Sequence, residues 1–296
     1  SAWIALIIIT PGIRLIAAKN AYPVPGDAGH FVQHGVALAH GIPGAMSPYW
    51  SQGMTLIAAG AERAGLDPRR ALQATAMISG IAFVYLFSGL IWRLTRSPPC
   101  ALLGGFWAAV NSTLIHYSIV GYSEMPYIML LTAGAYASLM FMGKTQWLWT
   151  SGVLLGGGGY FKGLDAAVAA IALATFHFIT SNRSGVRRMA LALEIPLVSF
   201  LILIPLCTFT YMETGTFAPG NKGRINFALG KDWADSKIVY AAEGAKLEDR
   251  PINEILHQIP NRIAHNVAQT CRLFNEQIFY RGLRIGTIWF GLLAAG

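Results

Sequence analysis

Leu154-Leu155-Gly156-Gly157-Gly158-Gly159-Tyr160-Phe161-Lys162-Gly163-Leu164-Asp165 stands between two apolar runs, 147–161 and 164–180. Its reading decides whether the chain crosses a membrane there once or twice. Four consecutive glycines allow close helix packing or a break in a helix, and sequence leaves both open. Taken as a boundary, the stretch separates a fifth span from a sixth.

A helix needs about 20 mostly apolar residues to cross a bilayer, fewer if flanking side chains snorkel. The other candidates are 2–18, 71–92, 100–115, 125–142 and 189–211, with 283–296 as the opening of an eighth. The run 2–18 has no basic region before it, so it reads as a first span and not a signal peptide. The fold class expected is all-α, a polytopic transmembrane bundle with extracytoplasmic interfacial helices. Its parts are a core of seven spans over 1–211 with a first outer loop at 19–70, a second outer loop at 212–282, and the eighth span. The chain starts at Ser1 and stops at Gly296 inside an apolar run, so both ends read as truncated.

Composition agrees. Hydrophobic residues make up 54% and charged residues 12%, about half the charged share of a soluble domain, and mean hydropathy is +0.47. A net charge of +8 would suit nucleic acid, but cytoplasmic loops rich in Lys and Arg account for it, and no nucleic-acid partner is expected. Cys100, Cys207 and Cys271 are odd in number and lack metal spacing, which argues against a disulfide framework.

Short connections orient the bundle. Arg93, Arg96, Lys144, Arg183, Arg187 and Arg188 share one side under strict alternation, with no carboxylate among them, so that side is cytoplasmic. The opposite side receives nearly every acid. There, Phe31, Val32, Val36, Leu38 and Ala39 suggest an amphipathic helix over 27–41. Tyr49, Trp50, Met54, Leu56 and Ile57 suggest a second over 47–66. In the second loop, Ile252, Ile255, Ile259, Ile263 and Val267 recur at helical spacing, with a kink expected at Pro260.

The polar chemistry gathers on that outer side. Asp27 follows Pro25-Gly26, where it suits either a helix N-cap or an exposed general base or metal-binding carboxylate. Glu124 begins span four and either caps it or acts in a site. Lys162 and Asp165 flank Gly163, as an interfacial ion pair or with the lysine holding an anionic headgroup. Lys222 and Arg224 lie in Pro219-Gly220-Asn221-Lys222-Gly223-Arg224, a loop whose amides can converge on phosphate. His30 and His34 stand four apart as paired metal ligands do, but no HExxH pattern follows and zinc is not assigned. Carboxylates beside cations at headgroup level suit a reaction on a lipid phosphate. No cofactor is assigned; a divalent metal, if used, would bind at Asp27.

The order of features resembles the GT-C superfamily, specifically the dolichyl-phosphate-mannose protein mannosyltransferases and aminoarabinose transferases. The likeness runs through Gly26-Asp27-Ala28, Ser47-Pro48-Tyr49-Trp50, Gly65-Leu66-Asp67-Pro68-Arg69-Arg70-Ala71, Tyr117-Ser118 to Ser123-Glu124, Gly156 to Asp165, and Asn226-Phe227-Ala228-Leu229-Gly230. Members often carry Asp-Glu where this chain has Asp27-Ala28, and they carry further spans and often a C-terminal domain.

The resemblance implies an integral protein of the plasma (inner) membrane, an enzyme of the cell envelope. It would move a sugar from a polyprenyl-phosphate donor to an acceptor at the extracytoplasmic face. Asp27 would be catalytic and Glu124 would assist, with Lys162, Lys222 and Arg224 binding the lipid phosphate. Two other classes compete. A non-catalytic scaffold would keep this fold within a larger assembly of membrane subunits. A lipid or solute transporter would place ionisable groups at mid-membrane and show repeated halves; Asp165 and Glu194 lie near span ends and no repeat is present.

The orientation is testable by labelling. In intact cells a cysteine at Gly143 or Ser184 is expected to resist an impermeant thiol reagent, and one at Gly244 to react. Labelling of the first two would reverse the topology.

Overall fold

The computed structural model describes residues 2–19, 26–140, 145–181 and 185–220. The chain divides into two compact units, Ser1–Val110 with Leu114–Gly223, and Asn111–Thr113 with Arg224–Gly296. All described residues except 111–113 belong to the first unit. The second loop beyond residue 220, its isoleucine stripe and the eighth span lie outside the described residues, as do Lys144 and Arg183.

Among the described residues every regular element is helical: α1 (Ala2–Lys19), α2 (Asp27–Ala39), α3 (Gln52–Arg63), α4 (Pro68–Thr95), α5 (Pro98–Val110), α6 (Ser112–Ile119), α7 (Glu124–Leu139), α8 (Gln146–Thr180) and α9 (Gly185–Thr214). Four of them, α1, α4, α8 and α9, are long and apolar enough to cross a membrane. The described residues are thus all-helical where regular, with several helices suited to a membrane.

The glycine stretch reverses the chain. Inside α8, Lys162 takes φ −142°, ψ 40° and Gly163 takes φ 23°, ψ −102°, which no α-helix tolerates. Residues on either side meet: a Cβ on Gly158 would lie 3.9 Å from the Cβ of Ala166. Further along, Leu148, Leu155 and Ala170 share one core cluster with Ile195. So α8 is two antiparallel arms, 146–161 and 164–180, each rising about 24 Å at 1.5 Å per residue.

The glycines also serve as a packing seam. Cβ atoms on Gly152 and Gly156 would fall 2.9 Å from the carbonyls of Ile195 and Ser199, and Gly159 faces Leu203. The rising numbers on both sides mean that the first arm of α8 runs parallel to α9. On the other flank Gly134 of α7 meets Leu155 and Ser151, and Gly158 meets Tyr127 and Leu130, so α7 is antiparallel to that arm.

The first half of the bundle follows the same alternation. Leu6 lies against Gly105, and a Cβ on Gly80 would sit 3.2 Å from Arg14 Nε, which sets α1 parallel to α5 and antiparallel to α4. Pro11 removes the amide that would bond the Ile7 carbonyl; the Tyr85 hydroxyl donates to that carbonyl at 3.1 Å instead. Arg93 Nε and Nη2 donate to the Leu139 carbonyl at 3.4 Å, closing the C-terminal end of α7.

Local signals set the helix starts. Asp67 accepts from Arg69 N at 2.9 Å with Pro68 in the first turn of α4, and Ser51 accepts from Met54 N at 3.4 Å to start α3. The amphipathic helix expected over 47–66 therefore opens after the Ser47–Trp50 turn, not within it. The aromatics before it, Tyr49 and Trp50, are buried, and Met54 in its first turn is fully so. Gly35 of α2 packs on the Thr55 and Ala59 backbone of α3, where a Cβ would come within 2.9 Å. These two helices form a layer on the bundle end.

The four glycines separate by position. Gly156→Ala is expected to cost about 1–3 kcal/mol, because its Cβ meets backbone and Ile202. Gly157→Ala, 3.9 Å from its nearest neighbour atom, is expected to be neutral or to stabilise by up to about 1 kcal/mol. Thermal unfolding of the two purified variants checks the contrast.

Candidate functional site

The end of the bundle that bears the α8 reversal also bears the start of α7. Lys162 Nζ donates to Glu124 Oε1 at 2.7 Å, and both side chains are 26% exposed. The expected partnership with Asp165 does not form: Lys162 swings off the broken helix toward α7, leaving Asp165 exposed. Glu124 occupies the first turn of α7 with Ser123 as N-cap, and no side chain caps that end. Its carboxylate thus serves the ion pair, while its charge also suits the helix N-terminus.

The next layer explains why the reversal sits at Lys162–Gly163. Gly163 has φ 23°, and a Cβ there would lie 2.6 Å from the Pro219 carbonyl. The segment after α9 therefore crosses directly over the turn. One residue on, a Cβ on Gly220 would sit 3.5 Å from the Pro48 carbonyl. Behind the turn, Ser51 Oγ donates to the Tyr160 carbonyl at 3.3 Å, and the ring of Phe161 fills the space that Gly53 leaves open. The layer of α2 and α3 is thereby fastened to the reversal.

Asp27 enters this region by way of Gly26. It is the first residue of α2, and the N-cap is Gly26, which makes no side-chain bond. The expected capping use of Asp27 is not what forms. Gly26 has φ 131°, a conformation open to glycine, and its Cβ position lies 3.2 Å from the hydroxyl of Tyr122. Asp27 thus begins α2 beside the loop that leads to Glu124. Its half-buried carboxylate makes no hydrogen bond or ion pair among the described residues.

The structure therefore gathers Glu124 and Lys162 into direct contact and brings the α2 start to Tyr122, two residues from Glu124. Lys222 and Arg224 lie outside the described residues. The histidines have other work: His30 stacks on Trp50 with ring centroids 4.4 Å apart, and His34 Nδ1 lies 2.7 Å from the Ala45 carbonyl. Among the described residues no three His, Cys, Asp or Glu side chains are grouped to hold a metal ion. Glu194, the other acid within a span, accepts from Trp149 Nε1 at 3.1 Å, near the start of α8 and so away from Lys162.

Sequence reading missed the role of Tyr122 and the contact of Pro219 with Gly163. A tyrosine in a short loop carries no periodic signal, and a contact across 56 positions has none. No family model, curated protein or solved structure matches the chain.

A double-mutant cycle tests the pair. Lys162→Met and Glu124→Gln are expected to couple by about 1 kcal/mol in unfolding free energy, as contacting, partly screened charges do. Strict additivity would mean that the two side chains do not meet.

Proposed function

We propose that this chain is a membrane glycosyltransferase of the GT-C kind, moving a sugar from a polyprenyl-phosphate donor to an acceptor at the extracytoplasmic face. The observations that carry the reading are the Glu124–Lys162 pair and, at the α2 start that meets Tyr122, an Asp27 carboxylate that neither caps its helix nor joins an ion pair among the described residues. One end of an apolar bundle then holds a carboxylate available for a proton and a lysine with donors to spare. Lys ammonium has three N–H donors, and Glu124 occupies one of them.

In the reaction, the acceptor hydroxyl gives its proton to Asp27 as its oxygen bonds the anomeric carbon. The bond from that carbon to the phosphate oxygen breaks, and polyprenyl phosphate leaves with the electron pair. Attack opposite the leaving group inverts the centre. Lys162 stabilises the charge that develops on the departing phosphate, and Glu124 holds Lys162 in place and orients the acceptor. Asp27, Glu124 and Lys162 together carry one net negative charge, so an anionic donor calls for further cations. Lys222, two residues after Gly220 in the sequence, is proposed for that role on the resemblance alone. The arginines support the extracytoplasmic side: Arg93, Arg96, Arg187 and Arg188 lie toward the opposite ends of the helices. The membrane assigned is the plasma (inner) membrane.

Asp27→Asn separates the chemistry from structure. The substitution keeps size and removes the base, so transfer from the true donor in a panel of polyprenyl-phosphate sugars is expected to fall roughly a hundredfold or more. Thermal stability should stay within about 0.5 kcal/mol, as for surface changes that break no contact. Normal turnover by Asp27→Asn would overturn the mechanism. No transfer by the unaltered chain across the panel would favour a scaffold subunit.

A further inference from the structure

Arg14 lies in the middle of an apolar helix and is fully buried. No carboxylate pairs with it among the described residues. A cation at such a place is costly unless its donors are met, and it is usually retained for a task. Nε and Nη1 are directed at three targets, while the buried Nη2 has no hydrogen-bond partner among the described residues. Nη1 donates to the Thr10 carbonyl at 3.2 Å and to the Ala109 carbonyl at 3.3 Å, and Nε donates to Ser118 Oγ at 3.2 Å.

Each target has a meaning in the fold. Ala109 is in the last turn of α5, whose terminal carbonyls have no partner within their helix and carry the negative end of its dipole. The guanidinium therefore closes that helix end inside the bundle and draws part of its charge compensation from it. Ser118 lies on α6, and its hydroxyl donates onward to the Leu114 carbonyl at 2.5 Å, so it both accepts and donates. Gly80 of α4 makes the room, because a Cβ there would overlap the Ser118 hydroxyl. Four helices meet at one guanidinium.

What hangs on this junction is the loop after α6. Ser118 precedes Tyr122 by four residues and Glu124 by six, and Tyr122 is the residue against which Gly26 packs. We infer that Arg14 is a positioning residue for the two carboxylates. By holding α6 to α1 and α5, it sets where Tyr122 and Glu124 stand and, through Gly26, where Asp27 begins α2. The catalytic meaning of that role rests on the proposed glycosyl transfer; the coupling itself does not.

Hydrogen exchange on the full chain in lipid nanodiscs tests the coupling without any substrate. Arg14→Lys keeps a cation but not the fork that reaches Ser118 and Ala109 together. Ser118→Ala removes the bridging hydroxyl and decides the matter if Arg14→Lys does not fold. Each is expected to speed exchange about tenfold at residues 118–124 and 26–31, with 147–161 and 189–211 unchanged. The double variant should show no more than the larger single effect. Unchanged exchange at 118–124, a uniform rise over the whole chain, or additive effects would overturn the inference. Loss of the exchange effect would leave the Asp27 mechanism standing, and loss of transfer would leave the coupling standing.

Discussion

Lys162 and Glu124 meet at 2.7 Å where the chain reverses between two apolar arms. A turn inside so hydrophobic a sequence needs a polar residue that faces away from lipid and a backbone free to take an unusual conformation. Lys162 supplies the first and Gly163, at φ 23°, the second. Once the turn is placed, the first arm of α8 must run antiparallel to α7 and parallel to α9, and the glycine seam can close on Ile195, Ser199 and Leu203. The same turn receives Pro219 from one side and the α3 layer from the other. The ion pair is modest in energy by itself, but it joins the start of α7 to the α8 reversal at this end of the bundle.

Much of this is legible in the residues alone. Span positions follow from apolar run length, and most observed helices start and stop within a few residues of the expected ones. Asp67-Pro68 marks the start of α4 because the carboxylate bonds Arg69 N and proline needs no donor there. The third span is less so: apolarity continues where α5 gives way to α6, and run length says nothing of the change. The short helices α2 and α3 can be placed in sequence, but their burial cannot, since a buried aromatic and an interfacial one look alike in a list of residues. Tyr49 and Trp50 are inside because Gly35 lets α2 approach the α3 backbone closely.

For the site, sequence points to Asp27, Glu124 and Lys162 and leaves each with a plain structural alternative. The structure excludes the particular alternative expected for two of them. Lys162 takes Glu124 over Asp165 because the broken helix geometry turns it toward α7, and Asp27 yields the cap position to Gly26. Arg14 gives no such signal, because a single cation in a first span reads as a flaw in a hydrophobic run. Among the described residues it is the largest fully buried side chain, and its bonds tie α6, which leads to the Glu124 loop, to α1 and α5. The glycosyltransferase reading thus rests on two carboxylates and one lysine at the same end of the bundle, supported by arginines toward the other.

A glycosyltransferase of this kind must receive a lipid-linked phosphate at the Lys162 end of the bundle. The most direct measurement is a cryo-electron microscopy structure of the full chain in nanodiscs containing a polyprenyl-phosphate sugar. Elongated lipid density is expected along the helices, with its phosphate within hydrogen-bonding distance of Lys162 Nζ and its sugar facing Asp27. A phosphate bound elsewhere, with Asp27 turned to open solvent away from any lipid groove, would contradict the proposed transfer.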